Sequence, residues 1–128
     1  MKKSLFFIIA FLIIVFGYFV YQNKLTTKKS AVQQQTITAY LKVYGQKDFN
    51  KRTITLGKTA LDLTKEKESI VTKGDGANAY IIGINGIAAQ SSKKEYWAFY
   101  VNGKMAEVGA GSYILKDGDK IEWKLATY

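Results

Sequence analysis

The 128-residue sequence contains no cysteine, no histidine and no proline. Without cysteine the chain has no disulfide, no thiol nucleophile and no thiolate metal site. Without histidine it has no Ser-His-Asp triad and no imidazole ligand, which removes most zinc and copper sites. The remaining acid–base groups are ten carboxylates, the lysines and the tyrosines, and their spacing brings no catalytic pair together. We therefore expect a protein that is not an enzyme.

These exclusions leave open a site for a hard cation formed by carboxylates alone. The turns that contain aspartate, however, do not have the pattern of a calcium-binding loop. Asp75 and the turn Asp117-Gly118-Asp119 lack the series of oxygen ligands and the terminal bidentate glutamate of a hand-type loop. We therefore expect no metal site.

Positive charge is in excess, with 19 lysines and arginines against 10 acidic residues and a net charge of +9. The lysines are scattered, Arg52 is the single arginine, and no recognised nucleic-acid module is present. We expect no nucleic acid as a partner. The excess instead predicts solubility and a weak attraction to anionic wall polymers or lipid head groups.

The N-terminal region has the pattern of a membrane anchor. Leu5–Tyr21 is free of charge and, as a helix, reaches about 26 Å, the short end of a membrane span. Lys3 and Lys24 flank this run, where their side chains can reach the interface, and Tyr18 and Tyr21 are typical interfacial residues. We predict a transmembrane signal-anchor over residues 1–21, followed by a polar tether over residues 22–35.

A cleaved secretory signal is the alternative for the same run, and it would make the remaining chain a secreted protein. The downstream sequence offers no small-x-small cleavage site, which favours an uncleaved anchor. Lysines on both flanks nearly cancel under the positive-inside rule. The short basic head before a long apolar run favours a cytoplasmic N-terminus, with the C-terminal domain outside the cell membrane.

Residues 36–128 alternate in the manner of half-buried strands. In the strand Tyr96–Val101, Trp97 and Phe99 share one face, while Tyr96 and Tyr100 share the other. Thr59 and Asp62 have the spacing of a capping box at the start of one short helix. The other predicted strands are Thr36–Tyr44, Lys51–Leu56, Ile70–Val71, Ala79–Ile84 and Lys120–Thr127, and Asn102-Gly103 is a strong hairpin signal. The run Ala79–Ile84 is nearly continuously apolar, as is typical of a central strand, and a polar loop is expected between Asn85-Gly86 and Lys94. In the last strand, Ile121 and Trp123 are expected to point inward. This pattern predicts an α+β domain.

The second half of the chain contains a set of motifs that is typical of one protein family. It comprises Gly83-Ile84-Asn85-Gly86-Ile87, Tyr96-Trp97-Ala98-Phe99-Tyr100-Val101-Asn102-Gly103, Gly109, Tyr113 and Asp117-Gly118-Asp119-Lys120-Ile121-Glu122-Trp123. Together these motifs resemble the transcobalamin-like C-terminal domain, a β-grasp-related module of surface proteins in Gram-positive bacteria, over residues 36–128. The resemblance implies a small β-grasp-like mixed sheet with one short helix.

The resemblance also implies a ligand and a missing half-site. In the cobalamin carriers of this family, the small β domain covers one side of the corrin ring and a larger helical-repeat domain holds the other. The present sequence has no such helical domain, so either a transporter or a helical partner subunit would complete the site, or the affinity for the ligand would be low. No cofactor is implied, and cobalamin enters as a ligand.

The candidate ligand-binding residues are Tyr96, Trp97, Tyr100, Asn85, Gly109, Gly111 and Tyr113. Large rigid aromatic side chains such as Trp97 suit stacking on a flat ligand. Trp97 and Trp123 also point inward on their strands, which favours packing in the core for both. For Tyr96 and Tyr100, the alternative is a sheet face covered by the helix or by a loop. For Asn85, turn formation with Gly86 is the alternative, because asparagine and glycine tolerate a positive φ.

Two functions remain open from the sequence. The first is a membrane-anchored extracytoplasmic module that binds a small flat ligand, such as a cobalamin-like corrinoid, beside an uptake system. The second is a surface protein–protein interaction module with no small-molecule ligand, in which the strand from Thr36 forms an exposed sheet edge.

Overall fold

The structure is a computed structural model that describes residues 2–26 and 33–128. It divides into two compact units, Met1–Gln34 and Gln35–Tyr128. In the first unit, helix α1 (Lys2–Thr26) includes the segment Phe6–Lys24, which is long and apolar enough to cross a membrane and has a mean hydropathy of 2.0. An N-terminal signal sequence satisfies the same criteria. The start of the predicted tether is helical, and its residues 27–32 lie outside the described residues.

The second unit is a mixed α+β fold, which confirms the predicted class. Its helix is α2 (Ala60–Lys67). Its strands are β1 (Thr36–Val43), β2 (Asn50–Thr55), β3 (Ile70–Lys73), β4 (Tyr80–Ile84), β5 (Ile87–Ala88), β6 (Glu95–Val101), β7 (Lys104–Met105) and β8 (Lys120–Thr127).

The larger sheet is mixed and has the strand order β2-β1-β8-β6-β7. Its one parallel pair joins β1 to β8, with Tyr40 opposite Lys120 and Val43 opposite Trp123. The hairpin predicted at Asn102-Gly103 joins β6 to β7. The prediction that the strand from Thr36 forms a sheet edge is wrong, because β2 and β8 pair with its two sides.

A second sheet consists of three antiparallel strands in the order β3-β4-β5. The sequence predicted a single mixed sheet, so this second sheet was not expected. β4, predicted as a central strand, is the central strand of this smaller sheet. The turn Asn85-Gly86 has φ values of 49° and 81°, the left-handed pair that a two-residue hairpin requires. The turn therefore leads directly into β5, where a polar loop was expected.

The capping box at Thr59 sets the start of α2. Thr59 Oγ1 accepts a hydrogen bond from the Asp62 backbone N–H at 3.1 Å, and Asp62 Oδ2 accepts one from the Thr59 backbone N–H at 2.9 Å. These bonds satisfy two donors that the first helical turn leaves free. The helix then buries Ala60, Leu63 and Thr64.

The core lies between the larger sheet on one side and α2 with β4 on the other. Its fully buried side chains include Leu41 and Ile121 from the sheet, Leu63 from α2 and Ile84 from β4. Each such aliphatic side chain contributes about 1.5–3 kcal/mol on burial. The strand faces that were predicted to point inward, with Trp97, Phe99, Ile121 and Trp123, do face this core.

Candidate ligand-binding site

A cleft of about 540 Å³ opens between the inward face of the larger sheet, β4 and the loop that follows β7. Its volume lies in the range of small-molecule sites, which are about 300–1,000 Å³. Its apolar lining comprises Leu61, Ala79, Tyr80, Ile81, Ile82, Ala89, Tyr96, Trp97, Phe99, Val108, Gly109, Ala110 and Trp123, and Lys73, Ser91 and Glu95 add polar groups.

Three aromatic rings from β6 and β8 form one wall of the cleft. Phe99 and Trp123 are cross-strand partners whose rings stack with centroids 5.1 Å apart and planes 28° apart. Trp97 lies two residues before Phe99 on the same face. All three residues are less than a tenth exposed, so core packing fixes the wall before any ligand arrives.

The two tryptophans differ in how their indole N–H groups are satisfied. Trp123 Nε1 donates to Thr64 Oγ1 at 2.9 Å. Trp97 Nε1 is buried and, within the described part of the chain, has no hydrogen-bond partner. The edge of the Tyr44 ring meets the Trp97 ring at a centroid distance of 6.4 Å. Packing therefore holds Trp97 without the indole hydrogen bond that Trp123 has.

The rim of the cleft is apolar and accessible. Tyr80 is 54% exposed and Val108 is 50% exposed, although both line the cleft. Gly109 follows Val108 and contributes only backbone. A ligand can therefore contact the aromatic wall on one side and these two rim side chains on the other.

Three of the seven predicted site residues line the cleft: Tyr96, Trp97 and Gly109. Tyr100 lies on the opposite face of the sheet, where Lys124 Nζ sits 4.3 Å from its ring centroid. Asn85 belongs to the β4–β5 turn. Its Nδ2 donates to Glu68 Oε2 at 2.7 Å and its Oδ1 accepts from the Ser69 N–H at 3.1 Å, so the side chain braces the turn against the end of α2.

Tyr113 is bound to a buried carboxylate outside the cleft. Its hydroxyl donates to Asp119 Oδ2 at 2.9 Å. Burial, and then the hydrogen bond and the charge of Asp119, raise the pKa of Tyr113 above its ordinary value of 10.0. Asp119 also accepts from Asn102 Nδ2 at 3.0 Å and from the Lys116 N–H at 2.9 Å. This network joins the β6–β7 turn to the loop before β8.

Gly111 lines a different, more polar cavity of about 680 Å³ beside α2 and β3. A Cβ at this position would lie 3.0 Å from the carbonyl oxygen of Ala77, so the loop passes very close to the 3₁₀ turn Gly76–Asn78. Within residues 2–26 and 33–128, no group of three or more acidic side chains that could hold a metal ion is present.

The other lining residues, among them Tyr80, Ile82 and Val108, were not among the predicted site residues. The alternation of apolar and polar residues predicts which side chains of a strand share one face of its own sheet. It does not predict which strands of a second sheet pack against that face, and β4 belongs to the second sheet. One feature of the sequence could have pointed to Val108, because it immediately precedes Gly109, a predicted site residue.

Comparisons with known proteins agree with this architecture. The family model described as "Domain of unknown function (DUF4430)" matches residues 57–127. No curated protein matches the sequence.

The fold is shared with other solved structures, and two of them illustrate the likeness. Haptocorrin in complex with Cbi superimposes with a TM-score of 0.61 at 22% identity, over 72% of this chain and 26% of the haptocorrin chain. A proposed metal-binding protein from Ruminococcus gnavus gives a TM-score of 0.57 at 19% identity, over 73% of this chain and 98% of that protein. These matches confirm the predicted transcobalamin-like fold, and this chain spans only about a quarter of haptocorrin.

Proposed function

The chain belongs to the DUF4430 family, and from its aromatic cleft we propose that residues 35–128 bind a flat, largely apolar small molecule. The observation that carries this proposal is the wall formed by Trp97, Phe99 and Trp123 beside an accessible apolar rim. Rigid aromatic surfaces bind flat ligands with little loss of side-chain entropy.

A cobalamin-like corrinoid is the ligand class that we propose. The support is the fold shared with haptocorrin, whose structure contains Cbi. A corrinoid is larger than the drug-sized molecules that a cleft of about 540 Å³ encloses. The cleft would therefore grip one edge or one side of the ligand, and a helical partner subunit or a transporter of an uptake system would cover the rest.

Ligand titration tests this proposal on the fragment 35–128. All of the buried core residues that the structure describes lie in this fragment, and the Ruminococcus gnavus protein has the same fold over nearly its whole chain. Both observations support folding of the fragment alone. Cobinamide and cobalamin are titrated calorimetrically, and quenching of tryptophan fluorescence is followed in parallel. Binding with quenching is expected because both tryptophans line the cleft.

A matched pair of variants locates the binding. Tyr80→Ser removes a rim ring from the cleft and is expected to weaken binding about tenfold. Tyr128→Ser removes an exposed ring whose neighbour on the sheet is Tyr96, and it is expected to have little effect. Equal effects of the two variants would place the ligand elsewhere. No binding at high micromolar concentrations would refute corrinoid capture by this unit alone.

A protein-binding surface is the second candidate function, and the half-exposed Tyr80 and Val108 favour it. Apolar side chains on a rim are typical of surfaces that another protein covers. Crosslinking in intact cells should then capture one dominant partner through residue 80 or 108. Recovery of uncrosslinked monomer alone would argue against this function.

We also propose that α1 anchors the protein in the cytoplasmic membrane, with residues 35–128 outside. The apolar segment Phe6–Lys24 and the missing small-x-small site after it support this topology. Protease added to intact protoplasts should digest the second unit, and the membrane fraction should contain the full-length chain beforehand. Protection would reverse the orientation, and a shortened product in the medium would identify a cleaved signal.

A further inference from the structure

The outward face of the larger sheet is rich in lysine and aromatic side chains. We call it the basic face and define it by Tyr40, Lys42, Lys51, Tyr100, Lys120, Glu122 and Lys124. The registers place these residues on one side, because Lys42 lies opposite Glu122, Tyr40 opposite Lys120, and Tyr100 opposite Glu122. The cleft and α2 lie on the other side of the same sheet.

Aromatic rings hold the lysines of the basic face in an extended array. The ring of Phe49 lies 5.6 Å from Lys42 Nζ and 5.7 Å from Lys120 Nζ, and Lys124 Nζ lies 4.3 Å from the centroid of Tyr100. Rings at these distances attract the ammonium groups. The positive charges are therefore spread across the sheet over an aromatic layer.

Positive charge exceeds negative charge on this face. Glu122 lies between Lys42, at 3.6 Å, and Lys124, at 3.9 Å. Lys120 and Lys51, which pairs with Tyr40 in register, add two further positive charges. The Glu122 side chain is 19% exposed and faces two lysines at once, so one carboxylate cannot neutralise Lys42 and Lys124 together with the two further lysines. A net positive charge therefore remains for an external anion.

We propose that the basic face binds the surface of a lipid bilayer that contains anionic phospholipid. Lysines close to such a surface are attracted by its negative potential, and tyrosines favour the depth of the head groups. A bilayer is also the anionic surface nearest to this unit if α1 spans the membrane. Only residues 27–35 separate α1 from β1, and fully extended they reach roughly 35 Å. This proposal does not depend on the ligand of the cleft.

Vesicle cosedimentation of the fragment 35–128 tests the proposal without the contribution of α1. Vesicles of phosphatidylcholine alone are compared with vesicles that also contain phosphatidylglycerol. Binding is expected only to the anionic vesicles. It should be lost between about 0.1 M and about 1 M salt, because the screening length falls from about 10 Å to about 3 Å. Equal binding to both kinds of vesicle would overturn the proposal.

Two double variants with the same change in net charge separate the basic face from general electrostatics. Lys120→Gln with Lys124→Gln is expected to lower the partition coefficient about tenfold. Lys65→Gln with Lys67→Gln alters exposed lysines of α2, on the other side of the sheet, and is expected to change it less than about twofold. Circular dichroism verifies that each variant is folded. Equal losses in the two variants would show that net charge alone drives binding and would overturn the proposal.

Soluble polyphosphate provides the remaining arm of the test. If the fragment binds polyphosphate through Lys120 and Lys124 but does not sediment with anionic vesicles, the face recognises a polymer and the bilayer proposal fails. Sedimentation with anionic vesicles that depends on these two lysines supports it.

Discussion

The indole N–H of Trp123 on β8 donates to the hydroxyl oxygen of Thr64 on α2, at 2.9 Å. The hydroxyl in turn donates to the carbonyl oxygen of Ala60 at 2.8 Å, so the sheet and the helix are joined by a relay of two buried hydrogen bonds. When a buried polar group loses its hydrogen-bond partner, the free-energy cost of its desolvation is no longer offset. The relay thus fixes the ring that forms one end of the aromatic wall.

Replacing Thr64 by valine tests this relay, because the side chain keeps its shape and loses its hydroxyl. The free energy of unfolding of the fragment 35–128 should fall by about 1–3 kcal/mol, since Trp123 Nε1 is left unpaired in the core. Urea denaturation measures the change. Thr72→Val, at an exposed threonine of β3, is the control and should stay within about 0.5 kcal/mol of the parent. A Thr64→Val fragment as stable as the parent would mean that the relay adds no stability.

The raised pKa of Tyr113 predicts a loss of stability at alkaline pH. As pH rises past 10.0, the unfolded chain loses this phenolic proton first, because folding raises the pKa of the group. The stabilisation is therefore complete below pH 10.0 and declines as pH rises through the higher pKa of the folded state. Tyr113→Phe should be about 1 kcal/mol less stable at pH 8, since it loses the hydrogen bond to Asp119.

The test is the difference in unfolding free energy between the parent fragment and Tyr113→Phe as a function of pH. Lysines titrate in the same range in both proteins, so their contribution cancels. The difference should shrink above pH 10. A difference that stays constant to pH 11 would contradict the assigned role of the Tyr113 hydroxyl.

Two glycines in one loop should respond differently to alanine. A Cβ at Gly111 would lie 3.0 Å from the Ala77 carbonyl oxygen and 3.2 Å from that of Gly76, both rigid backbone atoms. A Cβ at Gly109 meets only the Ala77 oxygen, at 4.0 Å. Gly111→Ala should therefore cost about 1–3 kcal/mol of unfolding free energy, and Gly109→Ala less than about 0.5 kcal/mol. Thermal unfolding compares them, and equal losses would contradict the close approach of this loop to the 3₁₀ turn.

The capping box of α2 should contribute about 1 kcal/mol. Thr59→Ala removes the oxygen that accepts from the Asp62 N–H, and Asp62→Asn weakens the return bond to the Thr59 N–H. Because the two side chains act together, the double variant should lose less than the sum of the single losses. Lys58→Ala, one residue outside the box, serves as the neutral control. Additive losses would mean that the two bonds act independently.

Local patterns predicted the local features of the fold correctly. Alternation assigned Trp97, Phe99, Ile121 and Trp123 to the buried face, and the Thr59–Asp62 spacing gave the start of α2. These features depend on residues within one or two turns or strands of each other. The edge position expected for the strand from Thr36 was wrong because its partner, β8, lies about 80 residues away, and no local pattern encodes that pairing.

The candidate site was predicted less completely, for a physical reason. Tyr96, Trp97 and Gly109 line the cleft, but its far wall comes from Tyr80, Ile81 and Ile82 in the second sheet. The packing of one sheet on another depends on the whole core. Tyr113 illustrates the same limit, because its hydrogen bond to Asp119 lies outside the cleft and depends on how the loop before β8 closes.

The parallel pairing of β1 with β8 also constrains the order in which the unit can form. The strand nearest its N-terminus is completed only by the strand nearest its C-terminus, and β8 supplies the partner of both β1 and β6. A chain that is still being synthesised therefore lacks the centre of its larger sheet until its final strand is available. Such long-range pairing makes folding slow, because the entropy of closing the loop is lost before the contacts form. Deleting the chain from Lys120 onward should thus abolish the fold of the whole unit. Removing part of an edge strand, by contrast, should only shorten a sheet.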